Sequence, residues 1–208
     1  MMTAREALDR LRAGNRDFAA SMKDGNLQFG SPRRAELPKE QNPFAIILGC
    51  SDARVPAEIV FNQGLGDLFV IRVAGNIVAP SQVGSVEFAA ERYDAPLVVV
   101  MGHSQCGAIL ATLDALQQPN AETSMNLRSI VDRVRPSVET LMQTEMRNDL
   151  PTLVSHAVRA NVRASVNHLR HGSALLEHVI ATKGLAVVGA EYSLETGNVD
   201  FFDTAGAE

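Results

Sequence analysis

Two apolar runs constrain this chain more than anything else in it, because each ends directly on chemically active side chains. Phe44-Ala45-Ile46-Ile47-Leu48-Gly49 runs into Cys50-Ser51-Asp52-Ala53-Arg54. Leu97-Val98-Val99-Val100-Met101-Gly102 runs into His103-Ser104-Gln105-Cys106. An unbroken apolar run of this length between breaker residues predicts a strand buried on both faces. A thiol, a carboxylate and a guanidinium at one strand end, and an imidazole and a second thiol at the other, read as the two halves of a site. That reading requires the two strand ends to lie side by side.

The chain around them alternates strands with helices. Thr3-x-x-Glu6 is a capping-box pattern and predicts a helix from about residue 4, with Leu8, Leu11, Phe18 and Met22 on one stripe and Gly14-Asn15 as an interruption. This arm, residues 1–30, either folds back on the domain or lies on a partner subunit. Residues 30–43, with Pro32, Pro38 and Pro43, read as a loop. Pro56–Phe61 is a short helical turn, Leu68–Val73 a second strand and Ser81–Tyr93 a helix, so residues 68–101 form a β-α-β unit with parallel strands. A helix opens at Cys106 and runs to about Leu116. Polar, proline-punctuated helical segments fill residues 117–151, and two further helices span Leu153–His171 and Ser173–Thr182. Leu185–Ala190 is a fourth strand, and the turn Glu195-Thr196-Gly197-Asn198 returns Val199–Phe202 antiparallel at an edge. The predicted fold is α/β: a mostly parallel central sheet flanked by helices, with an antiparallel C-terminal edge strand and an N-terminal helical arm. The whole of 1–208 is one domain, with its α/β core over 43–203.

Charge and hydropathy exclude several functions. The net charge of −5 leaves no electrostatic footprint for nucleic acid. No apolar stretch approaches the ~20 residues needed to cross a bilayer, and the first residues lead into a charged amphipathic pattern instead of an apolar signal core. The expected location is the cytoplasm. There, two cysteines at positions 50 and 106 point to a metal site or buried thiols before a disulfide.

Ligands of open parallel sheets bind beyond the carboxyl ends of strands, where Cys50, His103 and Cys106 fall. Two thiolates and an imidazole suit zinc, and three protein ligands leave one position open; Asp52 is the candidate for a fourth ligand in a closed state. Two thiolates neutralise a zinc ion, so a water on it needs a nearby acceptor. Asp52 fits that role, with Arg54 holding it ionised and pointed. Other readings compete. Gly102-His103-Ser104-Gln105-Cys106 falls one residue short of a G-x-S-x-G elbow, which would make Ser104 the nucleophile of an α/β-hydrolase. A permanently closed zinc would be a non-catalytic module. His156, His168, His171 and His178 read as solvated helix faces.

These residues resemble the β-class carbonic anhydrases. The resemblance rests on Cys50-Ser51-Asp52-x-Arg54-Val55-Pro56, Gly102-His103-x-x-Cys106-Gly107, Ala160-Asn161-Val162, and Gly189-Ala190-x-Tyr192 with Thr196-Gly197, and it extends from the N-terminal helix to Phe202. It implies one zinc ion per chain on Cys50, His103 and Cys106, a catalytic dyad of Asp52 and Arg54, and reversible hydration of carbon dioxide to bicarbonate. It also implies a substrate pocket that includes Gln41, often from across a dimer interface, with Phe69, Phe88 and Gly107, and a homodimer or tetramer. Hydrolysis of carbon disulfide or carbonyl sulfide on the same scaffold is the alternative. Three positions depart from the family pattern. Ala53 replaces a common serine, and Phe88 replaces a pocket tyrosine of some members. Ile47 replaces the tryptophan that, with residues matching Arg72 and Tyr192, binds inhibitory bicarbonate in one subgroup.

Overall fold

The computed structural model describes residues 2–24, 41–118 and 124–207. The expected loop over 30–43 lies, up to residue 40, outside the described residues, as does the end of the N-terminal arm. Five strands form one sheet in the order β2-β1-β3-β4-β5: β1 (Ala45–Gly49), β2 (Leu68–Arg72), β3 (Leu97–His103), β4 (Ala186–Tyr192) and β5 (Val199–Asp203). The first four are mutually parallel and β5 is antiparallel to β4, as expected. β1 lies between β2 and β3. The crossover from β2 to β3 through helix α3 (Pro80–Tyr93) therefore passes over β1, and both strands bond to β1. The connections leaving β1 and β3 diverge, and Gly49 pairs with Met101. This switch point is where open parallel sheets place their ligands, and it joins the two chemically active strand ends.

Period-two alternation divides the apolar runs between two layers. Ala45, Ile47, Leu97, Val99, Met101, Ala186 and Val188 face a core completed by α1 (Ala4–Asp24) and α2 (Ala57–Val60). Ile46, Leu48, Val98, Val100 and Val187 face α3, α6 (Leu150–His171) and α7 (Ala174–Lys183). Both faces are covered, so the strands read as continuous apolar runs, and each fully buried Leu, Ile or Val stabilises the fold by roughly 1.5–3 kcal/mol. A third cluster, built by α4 (Gly107–Gln117), α5 (Met125–Val138) and the start of α6, packs around Cys50 and Cys106. The segment between α5 and α6 forms two 3₁₀ turns, Leu141–Gln143 and Glu145–Asn148. Among the described residues no helix is long and apolar enough to cross a membrane.

α1 starts on the expected capping box. Thr3 N–H donates to Glu6 Oε2 at 2.7 Å, and Glu6 N–H donates to Thr3 Oγ1 at 3.2 Å. The expected interruption at Gly14-Asn15 does not occur, because both residues are needed inside the helix. A Cβ at Gly14 would lie 1.9 Å from the Phe61 carbonyl oxygen, so only glycine lets α1 approach the turn after α2. Asn15 is buried; its Nδ2 donates to the Val60 and Gly197 carbonyls and its Oδ1 accepts from Val199 N–H. Of the two placements open to the arm, the structure shows α1 on its own chain's sheet, with Leu8 and Leu11 fully buried and Met22 at the exposed margin. Gly14→Ala separates packing from propensity. Helix propensity alone would stabilise the variant by about 1 kcal/mol; the clash with backbone reverses the sign, and a loss of about 3 kcal/mol is expected in urea unfolding.

Candidate metal centre

Cys50 ends the β1 run, His103 is the last residue of β3, and Cys106 is the residue before α4. Their ligand atoms all lie within 4.8 Å of one another, and all three residues are buried. Among the described residues this is the one group of three or more such side chains placed for a metal ion. The turn between His103 and Cys106 is tight: Gln105 takes a positive φ of 56°, and His103 Nδ1 lies 2.9 Å from the Ser104 carbonyl oxygen. A carbonyl can only accept, so Nδ1 carries the proton and Nε2 presents its lone pair. Nε2 is buried and has no hydrogen-bond partner.

That orphaned nitrogen and the two adjacent sulfurs fit a soft divalent cation. Two metal–sulfur bonds of about 2.3 Å at a tetrahedral angle place their sulfurs about 3.8 Å apart, compatible with ligand atoms that all lie within 4.8 Å of one another. The Cys106 thiol, with the Gly75 amide beside it, pulls the Cys50 thiol well below the range of a free thiol, against the opposing effect of burial. The Cys50 sulfur and burial push Cys106 up in turn. A cation that displaces the thiol protons would convert both sulfurs to ligands.

Asp52 and Arg54 sit at the mouth. Arg54 donates from Nε to Asp52 Oδ1 at 2.9 Å and from Nη2 to Oδ2 at 2.7 Å, a two-point clasp, and its backbone N–H adds a third bond to Oδ1 at 3.0 Å. These bonds hold the Asp52 carboxyl well below the usual carboxylate range. Asp52 Oδ2 lies 3.9 Å from His103 Nε2, beside the three-ligand group and turned to Arg54.

Several residues support the site in ways the sequence does not indicate. Arg72, at the end of β2, donates to the Cys50 carbonyl at 2.9 Å and the Asp52 carbonyl at 2.5 Å, tying the loop to the neighbouring strand. Gly75 N–H donates to Cys50 Sγ at 3.4 Å, and Asn161 Nδ2 donates to the Gly75 carbonyl at 2.8 Å. The available signals were the glycine after β2 and the two polar residues, Asn161 and Ser165, on the buried face of α6. Glu195 accepts from Ser104 Oγ at 2.8 Å and from Gln105 Nε2 at 2.6 Å, and Ser104 Oγ also accepts from Leu194 N–H at 3.0 Å. The Ser104 hydroxyl is thus engaged in holding the turn. Ile47 and Tyr192 are buried in the core facing α1, and Arg72 is committed to the two carbonyls.

The four expected pocket residues separate into two places. Gly107 follows Cys106 and has open space where a side chain would be. Phe69 pairs with Ile46, three register positions back from the Gly49–Arg72 level, or about 10 Å along the strand. There it forms an aromatic cluster with Phe88 and Tyr93, ring centroids 5.9–6.2 Å apart, and Gln41 Nε2 donates to Tyr93 OH at 2.7 Å. Phe88 is 54% exposed on this face.

Residues 45–199 match the model of a protein family described as carbonic anhydrase. A carbonic anhydrase of Mycolicibacterium smegmatis is 37% identical over 190 residues, covering 86% of this chain and 89% of that one. Carbonic anhydrase 2 of Mycobacterium tuberculosis is 38% identical over 196 residues, covering 89% and 92%. Among solved structures, one of two tetrameric β-carbonic anhydrases from Sordaria macrospora superposes with a TM-score of 0.73 at 24% identity, covering 91% of this chain and 93% of that one.

Proposed function

The chain belongs to the β-class carbonic anhydrase family, and we propose that Cys50, His103 and Cys106 hold a zinc ion at which carbon dioxide is reversibly hydrated to bicarbonate and a proton. The observation that carries this reading is the buried, unpartnered Nε2 of His103 beside the sulfurs of Cys50 and Cys106. Zinc in this set supplies the Lewis acidity that makes water nucleophilic near neutral pH. With three protein ligands, the arrangement supports an open position; a closed state would require Asp52 to leave the Arg54 clasp.

The remaining chemistry belongs to the chain. Asp52 is kept ionised by Arg54, so it accepts a hydrogen bond from the attacking water and directs that water's lone pair at the carbon. Arg54 fixes the carboxylate in orientation and in charge, and Arg72 holds the loop that carries both. The two thiolates cancel the charge of the cation, which suits an uncharged substrate and lets the anionic product leave.

Gln41, Phe69 and Phe88 gather around the edge strand β2, set back from the chain's own metal group. They serve as a pocket when a second copy brings its aromatic cluster to that group, so the active unit is a dimer or a tetramer of dimers. Gly107 contributes from the same chain as the ligands.

Stopped-flow measurement on zinc-loaded protein tests the reaction. Carbon dioxide hydration with kcat/KM above about 10⁴ M⁻¹s⁻¹ is expected. Carbonyl sulfide or carbon disulfide consumed while carbon dioxide is not would transfer the scaffold to those substrates. Inertness towards all three with zinc bound would overturn the proposal.

A further inference from the structure

We infer that Asn161 is a positioning residue of the metal centre, acting through the Gly75 backbone on the thiolate of Cys50. Asn161 lies on α6, 111 positions after Cys50 in the chain (161 − 50), and its side-chain amide bonds to the Gly75 backbone. It is 3% exposed, and its Nδ2 donates to the Gly75 carbonyl at 2.8 Å. Gly75 in turn donates its N–H to Cys50 Sγ at 3.4 Å. The inference rests on the zinc reading above and extends it to a residue for which that reading has no role.

The geometry of the turn explains why an external grip is needed. Gly75 sits in the 3₁₀ turn Ala74–Asn76 with φ of 69°, and Asn76 follows with φ of 42°. Glycine has no side chain to restrict its rotation, so its own conformation does not aim its N–H. Asn161 anchors the peptide on the far side of Gly75. One helical turn along α6, Ser165 Oγ donates to the next carbonyl, Asn76 O, at 3.2 Å. A Cβ at Gly75 would meet the Ala108 Cβ at 3.0 Å, so the turn also abuts the first turn of α4, directly after Cys106. One small turn therefore touches the supports of both cysteines, and α6 holds it still.

Hydrogen bonds to ligand sulfurs stabilise the thiolate, and groups that orient ligands typically change metal affinity by about 10–100-fold when lost. Asn161→Ala frees the Gly75 peptide and weakens the bond to Cys50 Sγ. Ser165→Ala removes the neighbouring contact from the same helix without touching Gly75, and so serves as the control for loosened packing.

The test measures zinc dissociation by chelator competition, and the sulfur-to-metal charge-transfer band of cobalt-substituted protein. It uses wild type, Asn161→Ala, Asn161→Ser and Ser165→Ala, each checked for its thermal melt. The expected result is zinc affinity lower by about 10–100-fold and a shifted cobalt band in both Asn161 variants, with Ser165→Ala near wild type. The two Asn161 variants differ in cavity size, so a folding defect in one leaves the other to be read. Wild-type affinity and an unmoved band in a folded Asn161 variant would overturn the inference, as would an equal loss in Ser165→Ala. Wild-type protein that retains neither zinc nor cobalt would overturn the zinc reading itself, which distinguishes the two failures.

Discussion

Cys50→Ser protein is expected to fold with a melt close to that of the metal-free wild type and to bind zinc at least about 100-fold more weakly. Changes to groups that only orient a ligand already cost about 10–100-fold, so loss of a ligand lies beyond that range. Serine is chosen because it preserves volume and can still accept from the Gly75 N–H, which removes misfolding as an explanation. A hydroxyl does not ionise near neutral pH, and zinc prefers sulfur and nitrogen here to a neutral oxygen. Carbon dioxide hydration should fall with zinc occupancy. Wild-type affinity in this variant would mean that the metal sits elsewhere, and the role given to the three buried ligand atoms would fail.

Asp52→Asn is expected to separate the two readouts: zinc content near wild type, and hydration slower by about 10²-fold or more. The asparagine has the shape of the aspartate but not its charge. Its amide nitrogen would also face one of the two Arg54 donors that now reach Oδ1 and Oδ2. The attacking water would lose an acceptor held ionised by that clasp, while Cys50, His103 and Cys106 keep their positions. A rate within a few-fold of wild type would reduce Asp52 and Arg54 to an anchor of the loop. Loss of zinc together with rate would instead make Asp52 a ligand in the working enzyme.

The parts of this account legible in the sequence are those in which local pattern and site coincide. The runs into Cys50 and into His103 are strands because both faces of the sheet are covered, which leaves a continuous apolar signal. Their ends bring Cys50 and His103 together because β1 and β3 pair in register. The turn at Glu195–Asn198 and the capping box at Thr3 are read from three or four residues. Gly14-Asn15 was misread as an interruption because glycine and asparagine are poor helix formers in isolation. The structure places them against Phe61, Val60 and the β4–β5 turn, where small size and paired polarity outweigh propensity.

What sequence reading did not reach were contacts between a side chain and a distant backbone. Asn161 meets Gly75 across 86 positions, and Arg72 meets the carbonyls of Cys50 and Asp52 from an adjacent strand. A backbone carbonyl has no residue identity, so such a bond leaves no pattern at either end. The placement of Phe69 and Phe88 away from the chain's own metal group likewise depends on strand register.

Titration of metal-free protein with zinc, following carbon dioxide hydration at each addition, probes the metal's role in the reaction. Activity is expected to be absent without metal, to rise linearly and to level at one zinc per chain, with Cys50→Ser flat over the same range. Activity in the metal-free protein, or none after one equivalent has bound, would contradict that role.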